Sequence, residues 1–143
     1  MIALIVPAPT ANAEEPLGTL TFTVADGEGK KIPAKLSFTD INGGILDLFP
    51  NANADNKNLA VRYHAIYVLD GEGTITVPVG TWNIYASHGI EWSLDHTTIT
   101  VEEGGEYSWD AELVHEIDTT NWVSGDFHLH TLTHSGHGDS NMN

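Results

Sequence analysis

Apolar residues recur at every second position through most of this chain, in short runs separated by turns rich in glycine and acidic residues. Leu20, Phe22 and Val24 alternate with threonines in the first run. Side chains two apart lie on the same face of a strand, and no helical periodicity of useful length competes. The same alternation recurs at Ala34–Phe38, Ile75–Val79, Trp82–Ala86, Thr97–Val101 and Tyr107–Leu113. Seven or so short strands with frequent turns predict an all-β fold, an antiparallel β-sandwich over residues 17–117.

Individual segments give more specific expectations. The turn Asp26–Lys31 between two alternating runs predicts a β-hairpin, and residues 42–48 are expected to form a short strand. Residues 60–69 form a longer apolar run, and Pro78 favours an edge position for its strand. The buried side chains are expected to include Leu20, Phe22, Leu36, Phe38, Ile75, Val77, Trp82 and Ile84.

Two stretches carry a resemblance to known sandwich modules. The strand that starts Pro33–Leu36 follows an Asp-Gly-x-Gly turn, and residues Val77 to Tyr85 read Val-Pro-Val-Gly-Thr-Trp-Asn-Ile-Tyr. This order resembles the carboxypeptidase-regulatory-like and transthyretin-like β-sandwiches. The resemblance implies that residues 77–85 form a packing element of such a sandwich.

Composition narrows the classes of function. The 143 residues fit one domain of ordinary size, and five basic against twenty acidic residues give a formal net charge of −15. That charge repels phosphate backbones and argues against a nucleic-acid partner. The absence of cysteine excludes disulfides, zinc–thiolate sites and a nucleophilic thiol.

The N-terminal residues have the character of an export signal. Residues 2–8 are apolar, and Ala11-Asn12-Ala13 has the small-x-small form of a signal-peptidase site. The apolar run is too short to span a bilayer, and a basic region before it is missing. Residues 1–13 are therefore predicted to be the remnant of a signal peptide, with a secreted or periplasmic location and no membrane span.

A cluster of histidines and acids near the C-terminus is the strongest chemical signal. Asp126, His128 and His130 are spaced by two, so an extended strand aims all three side chains at one face. His137 and Asp139 follow in a loop that could fold back over an ion, and the spacing leaves open which of the two is the next ligand. Imidazole and carboxylate donors together suit zinc, manganese or iron.

The run Asp126-Phe127-His128-Leu129-His130-Thr131, with Ser-Gly-His-Gly-Asp-Ser behind it, resembles the opening motif of the PHP-domain metallohydrolases. The wording is similar to the carbaryl-hydrolase-like (CehA/McbA) branch. The resemblance implies that residues 118–143 begin a distorted (β/α) barrel, whose first strand ends in the His-x-His pair. It also implies two or three divalent ions in the complete protein, with later histidines and carboxylates as further ligands.

These observations predict the N-terminal fragment of an exported metal-dependent hydrolase, in which metal-activated water cleaves a small-molecule phosphoester, carboxyl ester or amide. The fragment alone is expected to be inactive. The alternative is a non-catalytic binding module for carbohydrate, protein or the cell envelope. Its natural surface is an aromatic set: Trp82, Tyr85, Trp92, Tyr107 and Trp109. A third hypothesis is a metal-buffering tail without catalysis. No serine lies in a nucleophile-elbow context.

Overall fold

The computed structural model describes residues 15–48, 55–123 and 125. Within these ranges the secondary structure is all strand, in eight elements. They are β1 (Leu17–Asp26), β2 (Ala34–Asp40), β3 (Leu59–Arg62), β4 (Ala65–Val68), β5 (Glu72–Pro78), β6 (Gly80–Ser87), β7 (Asp95–Val101) and β8 (Glu106–Leu113). The described ranges contain no helix that is long and apolar enough to cross a membrane.

The strands form two sheets. One has three strands in the order β5-β1-β8, and the other has five in the order β3-β4-β2-β6-β7. All pairs are antiparallel except β1 with β8, which run parallel with Leu20 opposite Tyr107. A parallel pair requires a long connection, and the chain between β1 and β8 contains all five strands of the other sheet. The predicted all-β sandwich is confirmed, with this one parallel pair as its exception to antiparallel order.

The core lies where the alternating side chains of both sheets meet. Phe22 from β1 and Phe38 from β2 are almost completely buried, as are most of the positions predicted from the alternation. Trp82 differs, because it packs against the core only in part and its indole Nε1 donates to the Pro78 carbonyl oxygen at 2.8 Å. Buried tryptophans tend to lie where the indole N–H finds an acceptor, and the strand edge supplies one.

The predicted hairpin between β1 and β2 is wrong. The turn itself forms, since the Asp26 Oδ1 accepts from the Lys30 backbone N–H at 2.8 Å, but the two strands enter different sheets. β1 is the central strand of its sheet, so both of its edges are occupied by β5 and β8. Pro33, which has no N–H, follows the last contact between the strands, the bond from Ile32 N to Val24 O.

Three other segments show how local pattern and tertiary pairing differ. Residues 42–48 form no strand: only an isolated bridge joins Thr39 to Ile45. The apolar run 60–69 folds into the β3–β4 hairpin, in which Tyr63 has a positive φ of 48°. Pro78 ends β5, which is an edge strand as predicted.

Candidate functional site

The residues predicted to bind metal fall beyond the described part of the chain. Asp126, His128, His130, His137 and Asp139 all lie there, as do residues 1–13 of the predicted signal remnant. The metal site and the export signal therefore stay predictions. In the ranges 15–48 and 55–123, no three histidine, aspartate or glutamate side chains come together in a way that could hold an ion.

The segment that leads to the predicted motif is described as far as Val123. We call residues 114–123 the exit segment, because they follow β8 and precede Asp126. Their backbone is bonded to the loop of residues 88–94: the Glu116 N–H donates to the Glu91 carbonyl oxygen at 2.9 Å. The exit segment is thus attached to the sandwich by main-chain hydrogen bonds and does not leave it as a free tail.

Side chains strengthen this attachment around Trp92. Its indole ring contacts His88 edge-on, with centroids 4.9 Å apart, and also contacts His115, with centroids 5.0 Å apart. The His115 Nε2 lies 3.6 Å from a Glu91 carboxylate oxygen, and the same oxygen accepts from the Thr119 hydroxyl at 3.1 Å. The cluster joins the exit segment to the loop through the ring contacts of Trp92 and through the carboxylate of Glu91.

This histidine cluster is better suited to packing than to chemistry. The His88 Nδ1 donates to the Pro33 carbonyl oxygen, because a carbonyl can only accept. Within the described ranges His115 has one carboxylate oxygen within 4 Å, from Glu91, and belongs to no group of three side chains that could hold a metal. Nearby, the hydroxyl and the backbone N–H of Thr120 donate to Asp118 and lower the pKa of its carboxyl group.

Apolar side chains are exposed where the exit segment approaches the motif. Trp122 and Val123 of the exit segment are 82% and 95% exposed, and Ile90 of the 88–94 loop is 94% exposed. A shallow cavity of about 320 Å³ lies there, lined by Glu91, Thr119, Trp122 and Val123. Neighbouring exposed apolar side chains are typical of surfaces that contact other protein.

The aromatic surface expected of a binding module does not form. Four of the five residues, Trp82, Trp92, Tyr107 and Trp109, pack against the core from its margins. Tyr85 alone is on the outer face of the five-stranded sheet, where it stacks on His96 with ring centroids 5.9 Å apart. The alternation that makes these strands amphipathic turns most of the aromatics inward.

A groove on the five-stranded sheet was not predicted from the sequence. It has a volume of about 440 Å³ and lies over a cross-strand row in which Tyr67 is opposite both Ala60 and Lys35, and Lys35 is opposite Ser87. Directly opposed residues in antiparallel strands present their side chains on the same face. The four residues of this row come from four strands that only the sheet order brings side by side. No local sequence pattern therefore indicates the groove.

Asp55, an acidic residue next to the groove, accepts hydrogen bonds from β3. The Val61 N–H donates to Asp55 at 2.5 Å, and the Arg62 guanidinium donates to its other oxygen at 2.9 Å. The backbone bond from Val61, and then Arg62, hold the pKa of the Asp55 carboxyl group below its usual range. Asp55 is therefore ionised at neutral pH and already paired.

The similarities of this chain to known proteins are to solved structures. No family model matches it, and no curated protein matches it. Among solved structures it is similar to the phospholipase PlaB from Legionella pneumophila, with a TM-score of 0.48, 10% identity and 82% of this chain covered. The same phospholipase in complex with thio-NAD gives a TM-score of 0.44 at 10% identity, again with 82% of this chain covered. The chain spans 29% and 30% of the length of those two structures.

Proposed function

We propose that this chain is the β-sandwich and the first metal-binding strand of an exported metal-dependent hydrolase of the PHP type. The spacing of Asp126, His128 and His130 carries the proposal, since two imidazoles on one strand face form a chelating pair. His137 and Asp139 are the candidates for a further ligand. The export assignment is supported by the Ala11–Ala13 pattern.

The donor set fits a divalent ion of intermediate hardness. Histidine and aspartate are present and cysteine is absent from the whole chain, which favours zinc, manganese or iron. Such an ion supplies a Lewis acid and an activated water for the hydrolysis of an ester or phosphoester. Asp126, if it is not a ligand, accepts from a histidine ring N–H and fixes the tautomer that leaves the other nitrogen free to bind.

The sandwich bears on this proposal because the exit segment connects it to the predicted motif. The exit segment is bonded to the 88–94 loop at Glu116 and Ile117, so the chain is held to the sandwich before the predicted motif begins in the sequence. The exposed Trp122 and Val123 come directly before it and are suited to contact a following domain. A strand that is anchored at its start positions its ligands more accurately than one at the end of a free tail.

The test uses the full-length protein with His128→Ala and His130→Ala, and His96→Ala as the control. His96 is exposed on β7, stacks on Tyr85 and is not part of the predicted metal motif. We expect each of the first two variants to lose bound metal and hydrolysis of a panel of phosphoesters and carboxyl esters, because each removes a ligand. The control should keep both.

Metal content and activity separate the possible failures of the proposal. Metal retained at wild-type stoichiometry in both His128→Ala and His130→Ala contradicts the assigned ligands. The other failure is that both variants lose metal but the wild-type protein hydrolyses none of the esters. That result contradicts the hydrolase assignment and supports metal buffering instead.

A further inference from the structure

The groove on the five-stranded sheet has a charge opposite to that of the chain. Thirteen described residues line it, among them Lys35, Lys57 and His88, and none is an aspartate or glutamate. The whole chain has twenty acidic residues against five lysines and arginines. The groove thus combines two of those five cations and excludes the dominant charge from its lining.

Both lysines are available to a ligand. Lys31 is paired with Glu72, and Arg62 with Asp55, whereas neither Lys35 nor Lys57 has an ion pair within the described ranges. The Lys35 Nζ lies 5.9 Å from the centre of the Tyr67 ring, at the outer limit of a cation–π contact. An ammonium group in that place has an aromatic face beside it and no carboxylate to neutralise it.

Apolar side chains make up much of the remaining lining of the groove. Tyr67 and Leu69 are 49% and 64% exposed, and Pro33 and Ala60 also line the groove. A volume of about 440 Å³ is within the range of small-molecule sites, which combine apolar walls with a few polar groups that fix orientation. Two ammonium groups beside an apolar wall match a molecule with an anionic head and an apolar body.

We propose that this groove binds a small organic anion, a carboxylate carried on an aromatic or short aliphatic frame. The carboxylate lies between Lys35 and Lys57, and the apolar frame lies against Tyr67 and Leu69. The site goes beyond the metal-dependent activity proposed above, because no groove residue belongs to the segment 126–139.

The test is an NMR titration of the 143-residue chain with 2-naphthoate, alongside the uncharged 2-naphthalenemethanol. We expect the amide signals of Lys35, Ala60 and Tyr67 to move with 2-naphthoate, and the alcohol to bind more weakly. Added NaCl should weaken the binding of naphthoate, because the charges are solvent-exposed and screened.

Three variants with the same change of charge locate the contact. Lys35→Gln and Lys57→Gln should each weaken 2-naphthoate binding by about two- to fivefold, the effect of an exposed charge pair. Lys30→Gln, in the β1–β2 turn and outside the groove, should leave the affinity unchanged.

Several results overturn the proposal. They are equal affinity for the alcohol and the anion, signal changes confined to other parts of the sandwich, or no change up to the solubility of the probe. An equal loss in Lys30→Gln shows attraction by net charge alone. Larger changes with a neutral monosaccharide than with naphthoate indicate a carbohydrate site.

Discussion

At the scale of single residues, Gly71 is a position where an added side chain would collide with backbone atoms. Its φ is 73°, and a Cβ atom would lie 2.7 Å from the carbonyl oxygens of Val24 and Ile32. The Gly71 carbonyl also accepts from the Val24 N–H at 2.7 Å. The start of β5 therefore contacts the backbone at the point where β1 ends and the chain crosses to the other sheet.

We expect Gly71→Ala to lower the free energy of unfolding by about 3 kcal/mol, from left-handed strain plus the clash with two carbonyls. Gly29→Ala is the matched control. Gly29 has a φ of 80° but no atom within 4 Å of the added Cβ, so only the conformational cost of about 1 kcal/mol remains. Urea unfolding of the three proteins measures both values. Equal losses in the two variants contradict the clash.

At the scale of elements, the alternation identifies strands and their faces but not their partners. Leu20, Phe22 and Leu36 are buried as predicted, because residues two apart share a face whatever strand lies beside them. The predicted pairing of β1 with β2 is wrong because strands adjacent in sequence form a hairpin only when both have a free edge, and β5 and β8 occupy both edges of β1. The groove was not predicted for the same reason, because the order of the strands in the sheet decides which residues line it. The predicted metal ligands rest on local spacing alone and lie outside the described residues, so they stay a prediction.

The exit segment and the 88–94 loop should behave as one local unit that Trp92 holds together. Trp92→Ala removes the ring that contacts both His88 and His115. We expect hydrogen exchange of the Glu116 and Ser93 amides to become roughly tenfold faster, since both bond across this contact. Amides of β1 should change far less.

Tyr85→Ala is the matched control for this prediction, because it removes a partly exposed aromatic ring on the outer face of β6 that stacks on His96. It should leave the exchange rates at Glu116 and Ser93 unchanged. Equal acceleration in Trp92→Ala and Tyr85→Ala indicates a general loss of stability and contradicts a local unit.

At the scale of the whole molecule, excess negative charge opposes the compact state. The chain carries a formal charge of −15. Among the described residues, Lys31 is paired with Glu72 and Arg62 with Asp55, but the whole chain has twenty acidic residues against five lysines and arginines. The remaining carboxylates repel one another more strongly when folding brings them together. Packing of the sandwich has to exceed this repulsion, since the chain contains no disulfide.

Salt should therefore stabilise this protein. Raising NaCl from about 0.01 M to about 0.15 M shortens the screening length from about 30 Å to about 8 Å. We expect Tm, measured by circular dichroism at pH 7, to rise by about 3 to 5 °C. Glu103→Gln with Glu106→Gln, two exposed positions in and after the β7–β8 turn, should raise Tm at low salt and reduce its dependence on salt. A Tm that stays constant or falls as salt is added contradicts this account, because screening acts on every exposed carboxylate alike.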